Sequence, residues 1–276
     1  GACGGRSSPN TAPTTGAGLL ADAAQLAKEC DIALVFARDF ETEGADRADI
    51  SLPEEQDAMI KAVIEANRRT VVVLSTGCMV LVDKWANEVP AILQSWYAGQ
   101  DDGNVIADVL FGIVNPSGKL PITFPHTRAE IGINTAEQYP GVNGGGAYSE
   151  GVFLGYRRYD QEKLTPQFAF GHGLSYTGFE YSNLKLSRSR IRPGESITVE
   201  VQLKNTGRRE GAEVLGEILK LYHERLIGRG SNLMNADLGN GLTTEARRHR
   251  ERQTSSSSLV SIRVYPCRSV SKFKLP

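Results

Sequence analysis

Thr70-Val71-Val72-Val73-Leu74 is a β-branched run with no polar residue alternating through it. A strand solvated on one face alternates apolar and polar residues. An uninterrupted run belongs where both faces are covered, in the middle of a parallel sheet. Its neighbours fit that setting. Leu19, Leu20, Ala23, Leu26, Ala27 and Cys30 recur at helical spacing. Ile32 to Ala37 is short and almost wholly apolar, and reads as a buried strand. Ser51 stands as an N-cap with Glu54 three residues on as a capping box and Pro53 in the first turn. Met59, Ile60, Val63 and Ile64 then form a helical stripe that Asn67 ends. Ala91 to Trp96 reads as a strand, and Asp102 to Phe111 as a helix with Val105, Ile106, Val109 and Leu110 inward. Lys119 to Phe124 is a further strand, demoted by Pro121 to an edge or irregular position. This alternation predicts an α/β fold, a mostly parallel sheet sandwiched between helices, over residues 18–127.

The flanking segments differ in kind. Residues 1–17 are rich in Gly, Ser, Thr, Pro and Ala and read as linker. Residues 128–178 hold a turn-rich loop, Tyr139 to Gly146, and then an aromatic segment from Tyr148 to Tyr176. From Ser196 to Leu203, Ile197, Val199, Val201 and Leu203 alternate with polar residues ahead of an Asn205-Thr206-Gly207 turn, which opens an antiparallel module. Residues 216–276 are Gly-, Arg- and Ser-rich with weak strand periodicity, and read as a tail expected to be disordered, most clearly over 228–258.

Charge follows the same division. Residues 1–216 carry 20 Lys+Arg against 27 Asp+Glu, whereas residues 217–276 carry 11 against 5. The acidic body is a poor surface for phosphate backbones, so no nucleic-acid partner is expected. Cys3, Cys30, Cys78 and Cys267 show neither CxxC spacing nor a nearby His, so no metal site and no disulfide framework are read from them. No apolar stretch reaches membrane-spanning length, and the Gly-Ala-Cys-Gly-Gly start lacks signal-peptide features, as in a piece of a longer chain. The cysteine pattern leaves the redox compartment open.

Three glycine-rich stretches fail as phosphate cradles. Gly112 to Lys119 has the wrong spacing and Leu120 where a P-loop needs Ser or Thr. Gly144-Gly145-Gly146 has no strand before it or helix after it, and Gly1 to Gly5 opens no βαβ unit. A nucleotide-binding α/β protein is the runner-up class. His172 sits in an aromatic turn and reads as a backbone-bonded histidine, and Ser175 lies in no nucleophile elbow. Carboxylates remain. Glu41, Glu43, Asp46 and Asp49 lie on the loop after the first strand, at the carboxyl end where open α/β sheets bind ligands. Residue type and position do not rank them, and a solvated acidic loop is the plain alternative.

A longer pattern ranks them. Glu43-Gly44-Ala45-Asp46-Arg47, Leu52-Pro53, Gln56 and Thr70 to Leu74 are followed by Trp96-Tyr97-Ala98-Gly99-Gln100 and Ala107 to Gly112. Then come Asn115 to Pro121, Thr123-Phe124-Pro125, Gly155 to Asp160 and Phe170 to Thr177. In this order they resemble the second domain of glycoside hydrolase family 3, the β-glucosidase and β-xylosidase group, over residues 18–214. The resemblance implies a family domain at 18–178, a partial fibronectin type III-like module at 179–215 and no cofactor. It makes Glu43 the general acid/base and gives Asp46 and Arg47 the holding of the loop, as an ion pair. Substrate-binding residues are unassigned.

It also implies a β-glucoside or oligosaccharide substrate, cleaved at terminal β-D-glucosyl or xylosyl residues with retention. The family's nucleophile lies in a preceding α/β barrel, for which the residues before Gly18 are too few. The expected partner is therefore that missing barrel. The chain alone is expected to be inactive; the alternative is a catalytically inert stand-alone fragment.

Overall fold

A computed structural model describes residues 16–44, 47, 49–188, 197–214 and 257–264, the last as backbone. Two compact units result. One comprises the described residues up to Leu110 together with Pro121–Phe170; the other comprises Phe111–Leu120 and the described residues from Gly171 on. Residues 1–15, Asp46 and most of the expected tail lie outside the described residues.

The first unit is built on three parallel strands, β1 (Ala33–Arg38), β2 (Thr70–Ser75) and β3 (Ala91–Gln94), in the order β1-β2-β3. The β-branched run is the central strand, with Val72 and Val73 wholly buried from its two faces and Leu74 beside them. Helix α1 (Gly16–Lys28) packs on α2 (Gln56–Ala66), and α2 packs on β1 and β2 through Ile60, Val63 and Ile64. Helix α3 (Asp102–Leu110) follows β3, and the short α4 (Tyr156–Glu162) lies within the aromatic segment. Among the described residues, no helix is long and apolar enough to cross a membrane.

Four local expectations are corrected. Ile32 to Ala37 is not buried throughout: Val35 and Ala37 are buried, while Leu34 and Phe36 on the other face are exposed, because β1 is an edge strand and only β2 is central. The capping box does not form. Ser51 gives its hydroxyl to Asp49 Oδ2 (3.0 Å), Glu54 sits at φ 57°, and the helix begins at Gln56. The Gln56 amide instead grips the end of β1, accepting from Arg38 N–H (2.8 Å) and donating to Arg38 C=O (2.9 Å) and Pro53 C=O (3.0 Å). Val105 faces solvent while Ile106 carries the burial of α3. Lys119 to Phe124 forms no strand. Pro121 lacks the N–H a ladder needs, and only Phe124 makes an isolated antiparallel bridge, to Phe168.

The second unit holds an antiparallel sheet, β4 (Phe179–Leu186), β5 (Ile197–Asn205) and β6 (Ser257–Val264), in the order β4-β5-β6. Val199, Val201 and Leu203 alternate into its core. The segment expected to lack order thus contributes a strand at 257–264. Asn115 ties loops within this unit: Oδ1 accepts from Ser175 Oγ (2.9 Å) and Tyr176 N–H (2.7 Å), and Nδ2 donates to Glu210 C=O (2.9 Å).

Candidate active site

The carboxyl ends of β1, β2 and β3 lie side by side, and the loops that leave them meet at one buried carboxylate. Asp39, the first residue past β1, is only 3% exposed. A buried carboxylate is tolerated only when its lone pairs are filled, and here donors come from three directions. Oδ1 accepts from Gly77 N–H after β2 (3.2 Å) and from the Tyr97 hydroxyl after β3, while Oδ2 takes Arg47 NH1 (2.8 Å) from the returning end of the same loop.

Arg47 is the second hub. Its Nε meets Glu41 Oε1 at 2.9 Å and its NH2 donates to Met79 C=O at 3.0 Å. The Tyr97 oxygen in turn accepts from Glu41 N–H (3.1 Å). The loop is thereby closed at its base, with Asp39 and Glu41 on the outgoing limb and Arg47 on the return. Gly77 has no room for a side chain: a Cβ there would run into the Glu41 carboxylate and the Tyr97 ring. Burial pushes the Glu41 carboxyl above the usual carboxylate range; Arg47 pulls it down, and Asp39 pushes it further up. Burial, and then the bond to Asp39, push the Tyr97 phenol up as well.

Glu43 occupies the exposed turn at the tip of this loop, beside Gly44, whose φ of 82° suits glycine. It has no hydrogen bond or ion pair among the described residues. A recess of about 370 Å³ beside the loop is lined by Glu41, Thr42, Arg47, Asp49, Arg128 and Tyr139, among others, but not by Glu43. Its far wall is the 3₁₀ turn Arg128–Ile131, which Glu130 anchors by accepting from His126 N–H (2.9 Å) and the Tyr159 hydroxyl (3.0 Å). Among the described residues no cluster of His, Cys, Asp or Glu has metal-binding geometry.

The expected site residues are thus placed unevenly. Glu43 and Arg47 share one loop. The ion pairs of Arg47 among the described residues run to Asp39 and Glu41, and Asp46 lies outside those residues. Asp39 went unread because it directly follows Arg38 at the end of β1, ahead of the acid-rich run that starts at Glu41. Tyr97 stands inside the Trp96-Tyr97-Ala98-Gly99-Gln100 stretch, where the sequence pattern gives it no role of its own. An acid directly after a strand, eight residues ahead of an arginine, was the available signal.

The sequence model of the glycosyl hydrolase family 3 C-terminal domain matches residues 12–176, more than half of the chain. The chain belongs to glycoside hydrolase family 3. It is 43% identical over 205 residues to a probable beta-glucosidase I of Aspergillus flavus, covering 71% of this chain and 24% of that protein. It is 41% identical over 201 residues to the thermostable beta-glucosidase B of Acetivibrio thermocellus, covering 71% and 26%. The crystal structure of DesR, a β-glucosidase from Streptomyces venezuelae in complex with D-glucose, superposes with a TM-score of 0.67 at 42% identity, over 72% of this chain and 25% of that one. The family 3 β-glucosidase of Bifidobacterium adolescentis gives 0.70 at 30% identity, over 89% and 35%. The chain spans about a quarter of the length of the β-glucosidases of Aspergillus flavus and Acetivibrio thermocellus. As a family 3 C-terminal region, it has the α/β fold its sequence pattern predicts.

Proposed function

We propose that this chain is the C-terminal part of a retaining β-glycosidase that removes terminal β-D-glucosyl, or xylosyl, residues, and that Glu43 is its general acid/base. The observation that carries the reading is the place of Glu43: an exposed carboxylate at the tip of a loop closed by Arg47, at the carboxyl end of β1. The family domain at 18–178 carries the loop, and 179–215 opens a fibronectin type III-like module.

Retaining hydrolysis needs two carboxyl groups about 5 to 5.5 Å apart. In the first step Glu43 gives its proton to the glycosidic oxygen as a carboxylate nucleophile attacks the anomeric carbon from the other side. A glycosyl–enzyme ester forms and the alcohol leaves. In the second step Glu43, now ionised, takes a proton from water as the water displaces the ester, which restores both carboxyl groups. The nucleophile is assigned to the family's barrel rather than to any residue of this chain. Arg47 and Asp46 support the loop, and the recess beside it accepts the leaving-group side of a β-glucoside.

Hydrolysis of p-nitrophenyl β-D-glucoside tests this. The chain alone is expected to show none. Joined behind the N-terminal part of a family β-glucosidase it should turn over, and Glu43→Gln should lower kcat by about 100-fold or more. Turnover that survives Glu43→Gln would remove Glu43 from the role. Turnover by the unjoined chain would show that no barrel is needed.

A further inference from the structure

Asp39 and Tyr97 do not line the recess, yet among the described residues every side-chain bond that closes the loop passes through one of them or through Arg47. We propose that Asp39 and Tyr97 are positioning residues for the Glu43 loop, acting through Arg47 and through the Glu41 backbone. This rests on the reading of Glu43 as proton donor. The geometry is specific. Asp39 fixes the outgoing limb to the loops after β2 and β3 by accepting from Gly77 N–H and the Tyr97 hydroxyl, and it fixes the return limb through Arg47. Tyr97 does a second job with the same oxygen, holding Glu41 N–H at 3.1 Å, two residues before Glu43. Its hydroxyl therefore spends its donor on one limb residue and its acceptor on another, a division a phenylalanine ring has no means to copy.

Simple stabilisation of the fold is the competing explanation, and the two differ in where the damage appears. Loss of the Tyr97 hydroxyl removes no bond to β2, since its hydrogen-bond partners are Asp39 and Glu41 while Val72, Val73 and Leu74 form the buried centre of the sheet. It frees Glu41 N–H and removes one of the donors on Asp39. The consequence of a positioning role is local: the tip loosens while the sheet keeps its protection. A carboxyl that must lie within a fraction of an ångström of a leaving oxygen loses rate, not affinity, when its loop wanders.

Hydrogen exchange followed by NMR on the full chain decides between them. Tyr97→Phe should raise exchange at Glu41 N–H at least tenfold, and the Arg47 Nε–H resonance should lose its distinct position, with β2 amides unchanged. Equal acceleration of the Glu41 and Val72 amides, or no change at either, would overturn the proposal. Asp39→Asn, the harsher variant, should loosen the loop further; if it does not fold, Tyr97→Phe still decides. In the joined, active form, Tyr97→Phe should lower kcat about tenfold and leave KM within twofold. Full kcat with Glu43→Gln inactive would refute the positioning role and leave the role of Glu43 standing. A loosened loop with Glu43→Gln still active would do the reverse.

Discussion

Glu41 and Asp39 draw on the same guanidinium, and that sharing decides how the site responds to acid. Burial raises the Glu41 carboxyl in the folded chain, Arg47 opposes the rise, and Asp39 adds to it. A raised carboxyl is held in its protonated form more readily folded than unfolded. Its favourable contribution is complete below the unfolded value and is lost as pH rises through the higher folded value. Glu41→Gln, neutral at every pH, should match the wild-type chain in acid and be at least as stable at neutral pH. Urea midpoints measured across pH 3 to 8 check this. A variant weaker than wild type only at neutral pH would mean that attraction to Arg47 outweighs burial. The sequence offered this loop as four acids without an order, and the family pattern chose Glu43. It left Asp39 unseen because its partners, Gly77 and Tyr97, come from the other two strand ends. Local pattern carries no information about which loops meet in space.

Elements were legible where one physical signal dominated. The run at Thr70 to Leu74 leaves a strand no alternative to burial, and it is the centre of the sheet. Boundaries failed where two local options competed. At Ser51 the hydroxyl is spent on Asp49, so the helix starts only at Gln56, where the amide can pair with Arg38. Helical periodicity also overcounts burial on a short helix: Val105 and Ile106 are adjacent, and only Ile106 is covered. These differences carry unequal energies. Ile64, 1% exposed on α2, should cost about 2 to 5 kcal/mol as Ile64→Ala, for lost transfer energy and the cavity left behind. Val105→Ala, on a residue 48% exposed, should stay within about 0.5 kcal/mol. Urea denaturation of both variants is the check, and similar losses would mean that α3 is more covered in solution than here.

At the scale of the whole chain the two sheets have different needs. The parallel sheet is recognisable from the sequence because its strands are short apolar runs set among the amphipathic helices α1, α2 and α3. The antiparallel sheet is assembled from β4, β5 and a strand that lies more than fifty residues further on. Val260, Ile262 and Val264 do alternate with Ser261 and Arg263, but the stretch is short and sits in a Ser- and Arg-rich setting that hides it. Its register is nonetheless continuous, pairing Val199 with Ile262, Val201 with Val260 and Ile197 with Val264. Ending the chain at Val214 removes every one of those backbone bonds and leaves β5, whose Val199, Val201 and Leu203 form the buried side of the sheet, as an open edge. An open edge with apolar neighbours invites pairing with another chain, and two strands alone are marginally stable. The shortened chain should therefore form soluble oligomers or precipitate at tens of micromolar under conditions where the full chain stays monomeric. Size-exclusion chromatography with light scattering reads this directly, with amide exchange on β5 as the companion measurement. Val201 N–H should exchange freely in the shortened chain, while Val72 and Val73 in the parallel sheet keep their protection. A monomeric truncated chain with β5 still protected would show that β6 adds nothing to the sheet.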